Sequence, residues 1–405
     1  MRNRFRILTA GVLVAAALLT VSPLDLASAL PKPGAGVAVW APDWMKNGSG
    51  HTSWDPGRRR ALRQAREFDL VIAHSTTYDD HVQAMVRANP NVRLFVYVQG
   101  MFSSQAHLPS SWYAHTAAGN RIRSREFGTF LMNPKSSGWQ SSVLSTCRTK
   151  LSASHYHGCF LDSLGPTGVN ADSLTALPRN PATHRVYTRR QWLEATKVVA
   201  SRVEAAMAPR PTLLNGLVDG PGYMHTQGPT ERLLDGCTAG MMEAFMRAAR
   251  WRTTYYKGET AWRQDVNSLI DAANRSQGSI VLAVTKVWSS ATPAQVARWH
   301  RYALGSFLLG YKPGHAYFTF RDNQQLSSPS PWWDVRLGTP VGSYVRRAKG
   351  LYVRNFTNGK VVVNPTTRRH ALTLASRYVD LGGVTRRAGS KLGLAAHTAQ
   401  VLRDL

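Results

Sequence analysis

Residues 158–163, Gly-Cys-Phe-Leu-Asp-Ser, form a short apolar run that stops at an acidic side chain. The alternation of side chains along a strand places Phe160 and Asp162 on one face and Cys159 and Leu161 on the other. A run that is apolar on both faces is typical of a strand in a parallel sheet covered on both sides. A buried carboxylate is costly unless it is paired or used. The segment therefore predicts a buried strand with a functional acid at its C-terminal end.

Seven further runs of this kind lie along the chain, at residues 36–40, 68–75, 92–99, 212–217, 240–245, 279–287 and 316–320. Stretches with helical periodicity fall between several of them, at residues 78–89, 137–152, 189–207, 260–276 and 293–309. Eight strands that alternate with helices fit an α/β fold of the (β/α)8 TIM-barrel type better than an open doubly wound sheet. No glycine-rich dinucleotide or phosphate-loop motif follows any run, so we expect no cofactor.

The pattern changes after Trp333, where short β-rich runs replace the alternation with helices. The pair Asn358-Gly359 between two such runs is a strong hairpin signal. We therefore predict a (β/α)8 barrel over residues 30–345 and a small all-β appendage over residues 346–405. About 55 residues of strand pattern are few for an independent core, so we expect the appendage to pack on the barrel.

The first 29 residues have the three parts of a secretory signal peptide. Arg2, Arg4 and Arg6 precede an apolar run at 7–21, and Ala27-Ser28-Ala29 offers a small-residue cleavage site. The alternative is an uncleaved anchor, but the run is shorter than the ~20 residues that a spanning helix needs. We expect a secreted protein, extracellular or cell-wall associated, with no membrane contact after cleavage.

The chain is strongly basic, with 50 Lys and Arg against 23 Asp and Glu and a formal charge of +27 over 405 residues. The charge predicts an anionic partner, for which anionic cell-envelope polymers are our first candidate. A nucleic acid is the alternative, but no basic–aromatic motif supports specific nucleic-acid binding. Three Cys and 13 scattered His exclude a multi-cysteine zinc domain, and we predict no metal site.

Two acids at strand ends are the candidate catalytic residues. Asp162 ends the fourth predicted strand, and Glu243 lies in the otherwise apolar run Gly240–Phe245. Hydrolysis of a glycosidic bond needs one acid to protonate the leaving oxygen and another to attack the sugar or activate water. We expect Met241, Met242 and Phe245 to raise the pKa of Glu243, and Asp162 to stay ionised. The alternative is that one of the two is a structural acid paired with Arg or Lys.

Polar and aromatic residues at the other strand ends are candidates for binding a sugar, whose apolar face packs on aromatic planes. They are Trp40, Asp43, His74, Tyr97, Gln99, Asn215, Tyr223, Lys286, Trp288 and Tyr317. Three more aromatics, Trp44, Trp112 and Tyr113, follow predicted strand ends. Lys286 as a Schiff-base residue is a weaker alternative.

Export would make disulfides possible. Cys147 lies in a predicted helix and Cys159 at the start of the next strand, so the helix packed back on that strand could bring them together. We consider this pairing open, and we expect Cys237 to be a buried small hydrophobic residue.

Several segments together resemble the bacterial proteins grouped as hypothetical glycosyl hydrolase family fifteen. They are 131–134 (Leu-Met-Asn-Pro), Gly138-Trp139, 158–162, Asn215-Gly216, 242–245, 354–359, 363–366 and 378–381. The resemblance implies a barrel hydrolase with a small β appendage and glycosidase activity. The two acids are also similar in arrangement to those of endo-α-1,4-polygalactosaminidase-type barrels. That similarity implies Asp162 as nucleophile or base and Glu243 as acid/base.

The resulting hypothesis is a secreted glycoside hydrolase that cleaves a polysaccharide or oligosaccharide with an Asp/Glu pair. The alternative is a non-catalytic carbohydrate- or cell-envelope-binding protein on a barrel scaffold.

Overall fold

The fold is a parallel barrel followed by a β-sheet appendage. We describe it from a computed structural model over residues 37–43, 57–74, 78–275, 278–322 and 330–405. The predicted signal peptide and Trp44 lie outside these residues. Among the helices described here, none is long and apolar enough to cross a membrane.

Eight parallel strands form the barrel in chain order. They are β1 Trp40–Asp43, β2 Leu70–Ala73, β3 Arg93–Gln99, β4 Gly158–Asp162, β5 Thr212–Asn215, β6 Ala239–Met242, β7 Ile280–Lys286 and β8 Ala316–Arg321. The sheet closes because Phe318 N donates to the Ala38 carbonyl and Val39 bridges Phe318 in parallel. This confirms the predicted TIM barrel.

The helices follow the strands and cover the barrel. They are α1 Gly57–Glu67, α2 Val82–Ala88, α3 Ser137–Ser154, α4 Arg189–Met207, the short α5 Gly220–Tyr223, α6 Glu259–Asn274 and α7 Pro293–Gly310. Thr188 and Gln191 form a capping box at the start of α4, and Thr292 and Gln295 form another at the start of α7. Each box satisfies two backbone N–H groups, which fixes where these helices begin.

The appendage is a six-stranded sheet with a separate two-stranded sheet. Its strands are β9 Pro340–Arg346, β10 Tyr352–Phe356, β11 Gly359–Asn364, β12 His370–Thr373, β13 Tyr378–Asp380, β14 Thr385–Arg386, β15 Lys391–Leu394 and β16 Thr398–Asp404. Strand β9 was not predicted, and the expected domain boundary at residue 346 falls on its last residue. The β10–β11 hairpin turns at Thr357-Asn358, one residue before the predicted Asn-Gly pair, because Gly359 already pairs with Phe356 as the first residue of β11.

The appendage packs on α7. An added Cβ at Gly305 would lie 2.3 Å from Cβ of Ala399, so only glycine allows this close approach of helix and sheet. The buried Arg354 of β10 donates from Nη1 to the carbonyls of Leu308, Leu309 and Tyr311, where α7 ends. A cation at a helix C-terminus satisfies carbonyls that lack helical partners.

Candidate active site

The C-terminal ends of the barrel strands bring polar residues together. Gln99 pairs in register with Asp162 at the ends of β3 and β4, and Lys286 pairs with Arg321 at the ends of β7 and β8. Asn215 ends β5, and Glu243 comes directly after β6. The C-terminal end of the strands is where TIM-barrel enzymes hold their active sites.

Asp162 is held by several hydrogen-bond donors. Oδ2 accepts from the Tyr97 hydroxyl at 2.6 Å, from Ser163 Oγ at 3.2 Å and from Gln99 Nε2 at 3.3 Å. Gln99 Nε2 also donates to Tyr97 Oη at 2.7 Å, which orients the tyrosine. This oxygen is therefore surrounded by donors, the environment that suits a carboxylate rather than a carboxylic acid.

The side-chain amide of Asn215 joins the two candidate catalytic acids. Its Nδ2 lies 2.9 Å from Oδ1 of Asp162 and 2.8 Å from Oε2 of Glu243. One amide donates to both carboxylates, so they face the same small space. The sequence predicted these three residues as members of one site, and the structure brings them together.

Glu243 is also bound to a lysine. Lys286 Nζ donates to its Oε1, and the lysine side chain is 1% exposed whereas that of Glu243 is 43% exposed. Lys286 Nζ also lies 4.6 Å from the centre of the Trp288 ring. The sequence suggested that Lys286 binds the sugar. In the structure its partner is the carboxylate of Glu243.

The pKa of Glu243 is shifted in the direction opposite to the one expected, and the pKa of Asp162 is raised. Burial, then the charge of Glu243, raises the pKa of Asp162, against the opposing effect of its hydrogen bonds. Burial also acts to raise the pKa of Glu243, but Lys286, Asn215 and Arg321 outweigh it and the pKa lies below its ordinary value. The prediction of a raised pKa for Glu243 was wrong because it considered only Met241, Met242 and Phe245. Those side chains are buried, but the carboxylate points to Lys286 instead.

Residues in a strained backbone conformation follow strands β4, β5 and β6. Ser163, Val218 and Met246 have φ of 64°, 61° and 66°, in the left-handed region that non-glycine residues rarely adopt. Such conformations cluster at functional sites, where the surrounding structure holds them. Here they come just after Asp162, Asn215 and Glu243.

A buried ion pair supports the loops behind Glu243. Lys257 Nζ lies 2.9 and 2.8 Å from the two carboxylate oxygens of Asp265, and it donates to the Ala244 carbonyl at 3.2 Å. Asp265 in turn accepts from the backbone N–H groups of Gly220 and Met246. Sequence reasoning missed this pair because nothing in the helical pattern of α6 marks Asp265 as buried. It also left Ser163 and Arg321 out of the site.

Three predicted sugar-binding aromatics lie in the core instead. Trp40 is fully buried and donates from Nε1 to the Ala283 carbonyl, because β1 begins at Trp40 rather than ending there. Tyr317 is the second residue of β8, paired with Leu282 well below the Lys286–Arg321 level. Tyr223 is 1% exposed and donates to Asp271 of α6. These three predictions were wrong, because the strand ends were misplaced for the first two and the third, on α5, packs against α6.

The remaining predicted residues have mixed positions. His74 stacks on Tyr97 with ring centres 5.8 Å apart, next to the Asp162 network. Asp43 is the last residue of β1. Tyr113 is buried and donates to the Gln105 carbonyl. The half-buried Trp112 lies against Gly138, where an added Cβ would be 2.1 Å from its Nε1.

Cys147 and Cys159 form a disulfide, and Cys237 is a free, partly exposed cysteine.

A sequence comparison gives the family. The model of a family described as "Hypothetical glycosyl hydrolase family 15" matches residues 86–360, more than half of the chain. The chain belongs to hypothetical glycosyl hydrolase family 15. The matched range contains Asp162, Asn215, Glu243 and Lys286. No curated protein matches the chain in sequence.

Two solved structures show the fold of this member of hypothetical glycosyl hydrolase family 15. An α-amylase from Malbranchea cinnamomea aligns with a TM-score of 0.51 at 9% identity, over 95% of this chain and 97% of the other. An α-amylase from Geobacillus thermoleovorans aligns with a TM-score of 0.50 at 9% identity, over 91% and 98%. The glycoside hydrolase domain of PelA from Pseudomonas aeruginosa aligns at 0.43 and 12% identity, over 74% and 97%. At these identities the similarity is one of fold, and the family supplies the glycosidase assignment.

No group of three or more His, Cys, Asp and Glu side chains with metal-binding geometry occurs in the described ranges.

Proposed function

We propose that this glycosidase cleaves a polysaccharide with Asp162 and Glu243 and retains the configuration of the anomeric carbon. The observation that supports this is the Asn215 amide, which lies 2.9 Å from one carboxylate and 2.8 Å from the other. Asp162 Oδ1 and Glu243 Oε2 accept these two hydrogen bonds, so the distance between the two oxygens cannot exceed the sum of the two hydrogen-bond lengths. That limit applies to the two facing oxygens, and it favours the ~5–5.5 Å carboxyl separation of retaining enzymes over the ~6.5–9.5 Å of inverting enzymes, which must leave room for a water.

In this mechanism Asp162 is the nucleophile. The donors around its Oδ2 hold the carboxylate in one orientation, which a group that must attack a fixed carbon requires. They also oppose the upward effect of burial on its pKa. Attack forms a glycosyl–enzyme ester while the leaving oxygen takes a proton, and water then hydrolyses the ester.

Glu243 is the acid and later the base. In the free site Lys286 favours its ionised form, but its side chain is still 43% exposed. A sugar that covers Glu243 would remove this water and strengthen the effect of burial, which raises the pKa. Substrate binding would thus help the acid to hold the proton that it donates.

The test is activity on a panel of cell-wall, capsular and amino-sugar polymers, with wild type, Asp162→Asn and Glu243→Gln. Each variant should lose at least ~10²-fold in kcat, the low end for a general acid or base. Asp172→Asn, a carboxylate on the exposed surface, is the matched control.

Azide rescue separates the roles of the two acids. Azide should give a product of inverted configuration with Asp162→Asn and of retained configuration with Glu243→Gln. Full activity in either variant, or inversion by the wild type, would refute the mechanism.

The second candidate is a carbohydrate- or envelope-binding protein without catalysis. The Lys286–Glu243 ion pair favours it, because a paired acid can be purely structural. This candidate predicts that Glu243→Gln binds the glycan as well as the wild type while neither protein releases sugar.

We also propose that the protein is exported and held near anionic envelope polymers through its appendage. Residues 340–405 contain twelve Lys and Arg against two Asp, Asp380 and Asp404. Arg386 neutralises Asp380 by donating from both Nε and Nη2. Binding to a teichoic-acid polymer should weaken steeply as salt rises, because exposed charges are screened. Binding that is equal at low and high salt would rule this out.

A further inference from the structure

Two exposed aromatic side chains lie in loops at the catalytic end of the barrel. Phe127 lies between β3 and α3 and is 74% exposed, and Tyr255 lies between β6 and α6 and is 53% exposed. Every other Phe, Tyr and Trp side chain in the described ranges is buried or half-buried. Exposed aromatic rings that gather at one place mark an interaction site, whereas scattered ones do not. The position of the two loops relative to each other is therefore informative.

An ion pair joins these two loops. Nη2 of Arg250 lies 2.6 Å from Oε1 of Glu126, so the loops after β3 and β6 meet although β4 and β5 lie between those strands. Phe127 follows Glu126 directly, and Trp251 follows Arg250. The half-buried Trp251 ring meets the Tyr255 ring edge to face, with centres 4.8 Å apart. We call Phe127, Trp251 and Tyr255 the aromatic rim.

The aromatic rim borders the proposed catalytic acid. The backbone N–H of Trp288 donates at 3.0 Å to the carbonyl of Ala249, two residues before Trp251. The Trp288 ring lies 4.6 Å from Nζ of Lys286, which donates to Glu243. The loop that carries Trp251 is thus attached to the strand end beside Glu243. A glycan that is bound at Glu243 and extends past Trp288 reaches the aromatic rim next.

The backbone of Trp251 is fixed from inside the barrel. The fully buried Arg247 donates from Nη2 to the Trp251 carbonyl, and to Ser289 Oγ at 3.3 Å. Ser289 Oγ donates to the same carbonyl at 2.8 Å. Two donors hold this part of the rim in place before a ligand arrives, which reduces the entropy cost of binding.

The surroundings of the aromatic rim are cationic. Segments 121–128 and 247–255 contain six Arg and one acid, Glu126, which is already paired with Arg250. An arginine guanidinium can bind a carboxylate through two parallel hydrogen bonds, and an aromatic ring packs on the apolar face of a sugar. Exposed rings among arginines therefore fit a sugar that carries a carboxylate. Four of the six arginines are exposed, namely Arg123, Arg125, Arg250 and Arg252.

We propose that the aromatic rim is a distal subsite for an acidic glycan. Its sugar rings stack on Phe127 and Tyr255. Its carboxylates pair with Arg125 and Arg252. The inference rests on the proposed glycosidase function, and it adds that the substrate is a chain of uronic acids or of alternating uronic acid and neutral sugars. This chain is long enough to reach from the catalytic acids to the rim.

The test measures binding by calorimetry to the full chain carrying Glu243→Gln, so that no substrate is consumed. The acidic probes are hexasaccharides of galacturonic acid, of mannuronic acid and of hyaluronan. The hexasaccharide of N-acetylglucosamine is the neutral probe, and poly-glutamate is a polyanion without sugar rings. Phe127→Ala removes an exposed ring, and Arg252→Ala removes an exposed cation. Arg148→Ala on α3 and Val198→Ala on α4, which remove exposed side chains away from the rim, are the matched controls.

We expect at least one acidic hexasaccharide to bind more tightly than the neutral one. Its affinity should fall about tenfold in Phe127→Ala and in Arg252→Ala, the effect of one stacked ring or one charge-assisted hydrogen bond. The two control variants should bind it as tightly as their parent. Thermal unfolding of each variant checks that the fold is intact.

Three results would overturn the subsite. One is that no acidic hexasaccharide loses affinity in the rim variants, and another is that the neutral probe binds as tightly as every acidic one. The third is that poly-glutamate binds as tightly as the acidic hexasaccharides and depends on Arg252 but not on Phe127, since the rim would then be a general polyanion surface.

The outcome is separable from the glycosidase proposal. Hydrolysis of a polymer by the wild type, with unchanged affinity in the rim variants, would leave the function standing and reject the subsite. Binding of an acidic hexasaccharide that depends on the rim, without hydrolysis of any polymer by the wild type, would reject the glycosidase function and leave a glycan-binding surface.

Discussion

Lys286 donates a hydrogen bond to Glu243 from the end of the neighbouring strand. The lysine is buried and the acid is half exposed, so the cation approaches the carboxylate from the barrel side while the pocket side stays open. Burial lowers the pKa of Lys286, and the charge of Glu243 opposes this. The proton affinity of the proposed acid therefore depends on a second titrating group.

Replacing Lys286 with Met should move the alkaline limb of the pH profile to higher pH. The lysine favours the ionised form of Glu243, so its removal raises the pKa of that acid. A general acid works only while protonated, and the loss of activity then begins at higher pH. The measurement is kcat/KM against pH, with Lys312→Met, an exposed lysine, as the control. If the acidic limb moves instead, Glu243 is needed in its ionised form and the two roles are exchanged.

Replacing Asn215 with Ala should lower kcat about 10²-fold, the cost of removing one donor from a charge-stabilising site. The amide hydrogen bond lowers the pKa of Asp162, so the acidic limb of the profile should shift to higher pH. Asn170→Ala, an exposed asparagine that follows β4, is the control. An unchanged profile would show that the shared amide has no role in the reaction.

The sequence predicted the barrel and its central acids because strand ends carry a direct signal. Asp162 and Asn215 each terminate an apolar run, and parallel strands bring such ends to one place. Trp40 and Tyr317 were misassigned because a strand boundary is the least certain part of a sequence pattern, and a shift of a few residues moves a side chain from the pocket into the core.

The partner of Glu243 could not be predicted from sequence. Lys286 and Glu243 are 43 residues apart, and only the closure of β6 beside β7 makes them neighbours. The pKa of a carboxylate depends on such tertiary neighbours more than on its flanking residues. For this reason the apolar residues next to Glu243 in the chain predicted the wrong direction for the shift in its pKa.

Replacing Lys257 with Met should destabilise the fold by about 3–5 kcal/mol. The variant leaves Asp265 buried and without its cation, and breaking a buried pair from one side has this cost. Arg250→Met breaks the Arg250–Glu126 pair, whose side chains are 68% and 50% exposed, and should cost no more than about 1 kcal/mol. Urea denaturation of both variants makes the comparison, and equal losses would show that the Lys257 pair is not a structural support.

Removing the disulfide should cost about 3 kcal/mol. Cys147 and Cys159 are 12 residues apart, and a cross-link that closes a loop of this length reduces the entropy of the unfolded chain by roughly that amount. Cys147→Ser with Cys159→Ser should unfold at lower urea concentration and be insensitive to reductant. Cys237→Ser serves as the control, since it should keep the sensitivity to reductant. A wild type whose stability reductant does not change would contradict the pairing.

Replacing Arg354 with Met should weaken the attachment of the appendage to the barrel. The side chain would keep its apolar stem but leave the Leu308, Leu309 and Tyr311 carbonyls at the end of α7 without their donor. Buried acceptors without partners cost about 1–3 kcal/mol each, and relaxation toward water recovers part of this. We therefore expect a loss of about 2–4 kcal/mol. Arg377→Met, an exposed arginine just before β13 of the same sheet, should cost less than about 0.5 kcal/mol. Hydrogen exchange locates the effect: β10, β11 and the last turn of α7 should exchange faster, while β3–β5 keep their protection. Uniformly faster exchange across the barrel would mean that sheet and barrel unfold as one unit, and that Arg354 stabilises both rather than their contact.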